Sequence, residues 1–195
     1  MVSTTSTSLV YLSVYYSPDW LDQMHDAAES GHVSFYASGI FPGFASDQLA
    51  LLLATQSKTI RTLKVTEVAF NDHYPMADVM RNGTGFGHPL DFEPMLKTPG
   101  FSEMAWKAPI YLMAAGLGVD VDEVHGSLDR RLTDRDIEVA FGTIKAGTCG
   151  AVCTRAAMAA TAMRVVNAIP FVVDAPAGLL SSLDMPNTLP RYAFE

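Results

Sequence analysis

The stretch Ser38-Gly39-Ile40-Phe41-Pro42-Gly43-Phe44-Ala45-Ser46-Asp47 constrains the fold of this chain more than any other. Gly39 and Gly43 permit backbone angles and close approaches that a Cβ would forbid. Pro42 stiffens the bend between them and biases Phe41 away from helical angles. Before the stretch lies a β-rich apolar run, Val33 to Ala37, and after it a strongly apolar helical run, Gln48 to Ala54. A strand that ends in a rigid Gly/Pro loop and feeds a helix is where α/β proteins place ligands. An ordinary tight strand-to-helix turn has the same local pattern, so the loop alone does not assign a function.

The remainder of the chain narrows the class. Its 195 residues suffice for one domain with a substantial core, and at 49% apolar and 17% charged they describe a globular protein. A net charge of -8 with no basic run argues against nucleic acid, whose phosphates need clustered Lys and Arg. The longest apolar runs, such as Leu49 to Ala54 and Ala156 to Met163, are too short to span a bilayer, so no membrane partner is expected. Met1 to Ser8 is Ser/Thr-rich with no positive charge, which reads as a disordered leader and not as a secretory signal. Residues 9–195 are expected to form the folded domain, in the cytoplasm. Cys149 and Cys153 lie without nearby His or further Cys, so no metal is expected and both read as buried, reduced thiols.

In chain order, Leu9 to Tyr16 reads as a strand buried on both faces. Ser17 and Pro18 supply an N-cap and first-turn proline for a helix whose face is Trp20, Leu21, Met24, Ala27 and Ala28, with Gly31 as its stop. With Val33 to Ala37 this makes one strand-helix-strand crossover. The Gln48 to Ala54 helix is apolar all round and is expected to be central. Thr62 to Phe70 reads as a further strand with Glu67 inside it. Asn71 to Pro75 then leaves its carboxy end, bringing Asp72, His73 and Tyr74, which can donate or exchange protons. Turn chemistry accounts for part of that composition.

A short helix (Met76 to Asn82) leads to Gly83-Thr84-Gly85-Phe86-Gly87-His88-Pro89. This glycine series follows a helix and precedes a proline, the wrong context for a phosphate loop, and reads as a flexible loop presenting Phe86. Phe101 to Leu117 is helical, with Met104, Ala108, Tyr111, Leu112 and Ala115 inward and a bend at Pro109. Asp120 to Arg135 reads as a solvated, charged face. Ile137 to Phe141 and Thr148 to Cys153 read as strands joined through a glycine-rich bend. A last helix, Ala156 to Ile169, ends near Asn167 and Pro170, and Asp174 to Glu195 reads as a surface tail. No Ser-His-Asp elbow, HExxH helix or Walker loop is present, and no catalytic residue is assigned.

Several blocks together resemble one family. They are Gly31 to Asp47 with its Gly-Ile-x-Pro-Gly-Phe core, Tyr74-Pro75, Gly85-Phe86-Gly87, Ala140 to Thr148, and Arg164 to Pro170. In this order they resemble the carboxy-terminal domain of the 2,4-diaminopentanoate dehydrogenase and native amine dehydrogenase group, also described as dihydrodipicolinate reductase-like. The resemblance runs from about Leu9 to Pro186. It implies an α/β fold, a mixed β-sheet with helices packed on it, with a remnant of the last Rossmann strand and helix at the N-terminus. It further implies NAD(P)-dependent interconversion of an amine with a ketone or imine in the complete architecture, and a dimer-forming substrate domain. Under this resemblance Gly39, Phe41, Pro42, Gly43 and Phe44 lie near the nicotinamide, while His73, Tyr74 and Phe86 line the substrate pocket.

Three departures from the family pattern shape the expectation. The Gly-rich phosphate loop is absent, the strands between the Gly-Thr block and the last helix are missing, and Phe41 stands where the family has Asn. The expected protein is therefore a truncated oxidoreductase, a small-molecule-binding homodimer that a separate nucleotide-binding subunit could complete. The alternatives are a non-catalytic dimeric small-ligand-binding module and a gene fragment.

Overall fold

The computed structural model describes residues 1–3, 9–40, 42–65, 70–125, 128–150 and 168–186. The elements are β1 (Val2–Ser3), α1 (Pro18–Ser30), β2 (Ser34–Ala37), α2 (Gln48–Ala54), α3 (Phe101–Leu117), β3 (Ile137–Val139), β4 (Gly142–Ile144) and β5 (Gly178–Leu180). Parallel and antiparallel pairing both occur beside helices, so the chain is α/β, as its sequence implies. The two kinds of pairing lie in separate sheets. The chain divides into two compact units. The first contains Met1–Thr66, Trp106–Asp122 and Met158–Glu195, and the second Glu67–Ala105 and Glu123–Ala157.

The first unit is built on a parallel sheet of order β1-β2-β5. Val2 pairs with Tyr36 and Ser3 with Ala37 on one side of β2; Ser34, Phe35 and Tyr36 pair with Gly178, Leu179 and Leu180 on the other. α1 crosses between β1 and β2 and packs on β2 and β5. Its start follows the expected chemistry: Ser17 Oγ accepts from the Trp20 N–H at 3.4 Å, Pro18 opens the first turn, and Gly31 closes the last. Ala28 is the fully buried residue of the expected face, and Trp20 stays 40% exposed, stacked on Tyr16 at 4.2 Å.

The crossover exists, but with a different first strand. Leu9 to Tyr16 is not a strand; it holds a 3₁₀ turn at Leu12–Val14. Both edges of β2 are already taken by β1 and β5, so no parallel partner is left beside it. Val10 is buried and the Tyr15 hydroxyl accepts from the Ala108 N–H at 3.2 Å, so the aromatic run serves as packing. Val2–Ser3, inside the stretch expected to be a disordered leader, supplies β1. The expected surface tail is likewise corrected, because Gly178–Leu180 is β5. The Ser34 hydroxyl anchors the approach to β5 by donating to the Pro176 carbonyl at 2.7 Å. Strands of two and three residues are too short to show a period of two, and so leave no sequence signal.

The core of this unit gathers Tyr36, Ala168, Val172 and Met185, with Val2, Phe171 and Leu180 against it. Residues 168–174 are helical, so the final helix runs past Pro170; its expected earlier part lies outside the described residues. α3 matches its expected bounds and continues through Pro109. Its inward positions are Ala108, Leu112 and Ala114, whereas Met104 and Ala115 are exposed. α2 forms where expected but is not central: Leu49, Leu52 and Leu53 are exposed, the last at 57%. Thr62 to Val65 forms no strand, and Glu67 lies outside the described residues.

The second unit has its own core of Met80, Phe86, Phe141 and Ile144, flanked by Tyr74, Ala77, Ile137 and Val139. β3 and β4 form an antiparallel hairpin pairing Ile137 with Ile144 and Val139 with Gly142. The partner of β3 is thus Gly142–Ile144; of the expected strand Thr148 to Cys153, residues 151–153 lie outside the described residues and Cys149 makes an isolated bridge to Leu132. Gly142 carries φ +109° at the tight reversal, which is why the strand restarts so soon. The short helix after Pro75 is present and widens to a π turn at Val79–Gly83. Among the described charged residues of Asp120 to Arg135 all are exposed except Arg130, which is half-buried.

Candidate functional site

In the first unit the candidate residues form one continuous loop at the carboxy end of the central strand β2, the end of a parallel strand where ligands bind in open α/β sheets. Gly43 sits directly on Gly39 with φ +119°; a Cβ there would lie 2.2 Å from the Gly39 nitrogen. Both glycines are buried, and Pro42 and Phe44 are half-buried. Phe41 lies outside the described residues. The Ala45 N–H closes the loop by donating to the Ile40 carbonyl at 2.7 Å.

Asp47 holds this turn from beneath. Its carboxylate is 0% exposed, and Oδ2 accepts from the Gly43 N–H at 2.7 Å and the Ser46 hydroxyl at 3.1 Å. Oδ1 accepts from the Gln48 N–H at 2.6 Å, making Asp47 also the N-cap of α2. Buried charge is tolerated only with such hydrogen bonding.

In the second unit His73 and Tyr74 share a segment, and Tyr74 and Phe86 share a core. His73 Nε2 lies 3.1 Å from Asp72 Oδ2, and both side chains are about half exposed. Asp72 Oδ1 is buried, with no hydrogen-bond partner among the described residues. Tyr74 presents its ring to the hydrophobic cluster, and its hydroxyl lies 3.5 Å from Met76 Sδ.

Phe86 is not presented on a flexible loop. It is 5% exposed, with its ring centroid 6.1 Å from that of Phe141. The turn around it is fixed on both sides: the Gly87 N–H donates to the Cys149 carbonyl and the Cys149 N–H to the His88 carbonyl, each at 2.8 Å. Arg130 adds a clamp through Nη2, donating to the Leu90 and Phe92 carbonyls at 2.7 and 2.6 Å. Burial pushes the Cys149 thiol above its ordinary range, and the nearby Arg130 charge only partly opposes this. That thiol is held neutral and is not an activated nucleophile.

No protein-family model matches the chain. An amine dehydrogenase from Streptomyces virginiae is 36% identical to it over 136 residues, which cover 69% of this chain and 38% of that relative. Over that stretch the chain is similar to an amine dehydrogenase. It therefore spans well under half of the curated relative it matches. The structure of an amine dehydrogenase from Mycobacterium smegmatis superposes with a TM-score of 0.68, covering 98% of this chain and 70% of that one at 15% identity. At that identity the likeness bears on the fold alone, and it matches the α/β architecture.

Within this amine dehydrogenase-like chain, two residues outside the expected set matter. Asp47 ends the loop and is legible in retrospect, as an N-cap aspartate directly before an apolar helical run. Arg130 carries no such signal, because it lies within a charged run and its partners are about 40 positions away. Beside α2, an open groove of about 600 Å³ is lined mainly by Leu51, Leu52, Ile60, Leu117, Leu183 and Met185. It contains none of the expected site residues. Among the described residues no cluster of His, Cys, Asp or Glu could hold a metal ion.

Proposed function

We propose that this chain contributes to an NAD(P)-dependent amine dehydrogenase, interconverting an amine with its ketone or imine. The observation behind this reading is the 36% identity over 136 residues to the Streptomyces virginiae enzyme. The loop Gly39 to Phe44 is assigned to the nicotinamide end of the cofactor. The loop lies at the carboxy end of the central parallel strand β2, the end at which open α/β sheets bind ligands. When bound, the nicotinamide supplies the hydride.

The residues of this chain fit that end of the cofactor better than the pyrophosphate, since no Gly-x-Gly-x-x-Gly stretch occurs in the sequence. Pyrophosphate binding is assigned to a nucleotide-binding portion outside this sequence, on a separate subunit or on a longer chain. His73, Tyr74 and Phe86 are assigned to the substrate side. There His73, oriented by Asp72, exchanges protons with the amine, Tyr74 offers a hydroxyl, and Phe86 shapes the apolar wall from within the core. The assembly is a homodimer in the cytoplasm; among the described residues no helix is long and apolar enough to cross a membrane.

The test is complementation. The chain is co-expressed with the portion of the Streptomyces virginiae enzyme that has no counterpart here, then assayed with a small ketone, ammonia and NADH or NADPH. Amine formation coupled to nicotinamide oxidation is expected, together with a dimer by sedimentation. Absence of both turnover and nicotinamide binding in every combination would overturn the reading.

A further inference from the structure

We infer that Asp47 is the positioning residue of the cofactor-facing loop. It acts through the backbone of Gly43 and not by touching a ligand. The inference rests on the assignment of Gly39 to Phe44 to the nicotinamide and adds the device that holds that surface in shape.

The carboxylate is 0% exposed, so it neither meets a ligand nor exchanges its partners with water. What it does meet is the loop's own backbone: the Gly43 N–H at 2.7 Å and the Gln48 N–H at 2.6 Å. Both bonds are short, and both come from backbone donors that have no freedom to turn elsewhere. They tie together two pieces that would otherwise move independently, the turn at Gly43 and the first residue of α2. The steric fit of Gly43 on Gly39 sharpens the consequence. With 2.2 Å between an imagined Gly43 Cβ and the Gly39 nitrogen, the two glycines form one layer, and a shift of Gly43 carries Gly39 with it. The Ser46 hydroxyl at 3.1 Å is a further donor to Oδ2. The carboxylate thus sets the height and tilt of the surface from Gly39 to Phe44.

Asp47→Asn keeps the shape but replaces one acceptor oxygen by an NH2, which sets two donors against each other at either Gly43 or Gln48. Amide hydrogen exchange is measured at Gly43 and Gln48 in the purified chain, and NADH and NADPH titrations followed by nicotinamide fluorescence are made on the chain co-expressed with the nucleotide-binding portion. Val172→Ala, in the core of the same unit, is the control for general destabilisation. The expected result is exchange at least about tenfold faster at Gly43 or Gln48 in Asp47→Asn, with nicotinamide affinity falling by about tenfold or more. Val172→Ala should leave both unchanged. Should Asp47→Asn fail to fold, Ser46→Ala removes one donor to Oδ2 and is expected to speed exchange at Gly43 severalfold. Unchanged exchange at Gly43 and Gln48, or equal affinity losses in Asp47→Asn and Val172→Ala, would overturn the inference. If the unaltered chain binds neither nicotinamide in any combination with the nucleotide-binding portion, the cofactor assignment fails separately, while exchange at Gly43 still decides whether Asp47 positions the loop.

Discussion

The loop from Ser38 to Asp47 and the turn from Gly83 to His88 both put glycine where a side chain has no room, yet different parts of the chain hold them. At Gly43 an added Cβ would strike backbone, the Gly39 nitrogen at 2.2 Å. At Gly85 it would strike a side chain, Arg130 Nη1 at 2.6 Å. The first turn is closed by Asp47, four residues along the chain. The second has local bonds too, the Phe86 N–H to the Met80 carbonyl at 3.0 Å and the His88 N–H to the Gly85 carbonyl at 3.2 Å, but it is also tied from far away, by the backbone of Cys149 and by Arg130 bonding the Leu90 and Phe92 carbonyls just after it. A locally closed turn is formed as soon as its own residues meet, whereas a remotely closed one depends on the rest of its unit being folded.

The largest expected effect follows from the harder collision. Gly43→Ala forces a Cβ into backbone at a residue with φ +119°, and neither neighbour can rotate away. A loss of at least about 3 kcal/mol is expected, from strain and overpacking together. Urea denaturation read by far-ultraviolet circular dichroism checks it. A loss below about 1 kcal/mol would mean that the loop relaxes freely and that its stacked glycines are not a constraint.

The same contrast governs what the sequence revealed. The Ser17-Pro18 start of α1, the Phe101–Leu117 extent of α3 and the Ser38–Asp47 loop were legible because each is specified by residues within a few positions of one another. β1 and β5 were not, since Val2–Ser3 and Gly178–Leu180 become strands only by pairing with β2. Leu9 to Tyr16 had strand-like composition, but both edges of β2 were taken by β1 and β5, and tertiary context overrode propensity. α2 looked central from its leucines, yet Leu52 and Leu53 face the groove or solvent. In the candidate site, Tyr74 and Phe86 were recognisable as aromatic residues, but the burial of Phe86 depends on Phe141, Met80 and Ile144, a set that no local spacing discloses.

A middle-sized effect tests the remote clamp. Gly85→Ala meets a flexible guanidinium at a residue with φ +92°, so a cost of about 1–3 kcal/mol is expected. Arg130→Ala removes charged hydrogen bonds to two carbonyls and is expected to cost about 2 kcal/mol. The double variant should be more stable than the sum implies, by about 1 kcal/mol, because removing Arg130 also removes the collision. Additive costs in this cycle would show that the clamp and the glycine act independently, and the comparison with Gly43 would lose its second half.

The smallest expected effect comes from a closure that is neither buried nor remote. Lys145 Nζ donates to Asp136 Oδ2 at 2.6 Å, and the Ala146 N–H donates to Asp136 Oδ1 at 2.9 Å, joining the ends of the β3–β4 hairpin in open solvent. The hydrogen bond from Lys145 foremost, with that from Ala146, holds the Asp136 carboxyl below its ordinary 3.8, and the hydrogen bond to Asp136 holds Lys145 above its ordinary 10.5. The signs define the window. The share of Asp136 is present above 3.8 and disappears as pH falls through its lower folded value; that of Lys145 is present below 10.5 and disappears as pH rises through its higher folded value. Between those limits Lys145→Ala should destabilise the hairpin slightly at low salt and not at all at high salt, as solvent and ions screen an exposed pair. Thermal unfolding at pH 7 and at a pH well below the folded value of Asp136 separates the contributions. A difference between parent and variant that survives acid would show that Lys145 acts through its aliphatic stem and not through the charge of Asp136.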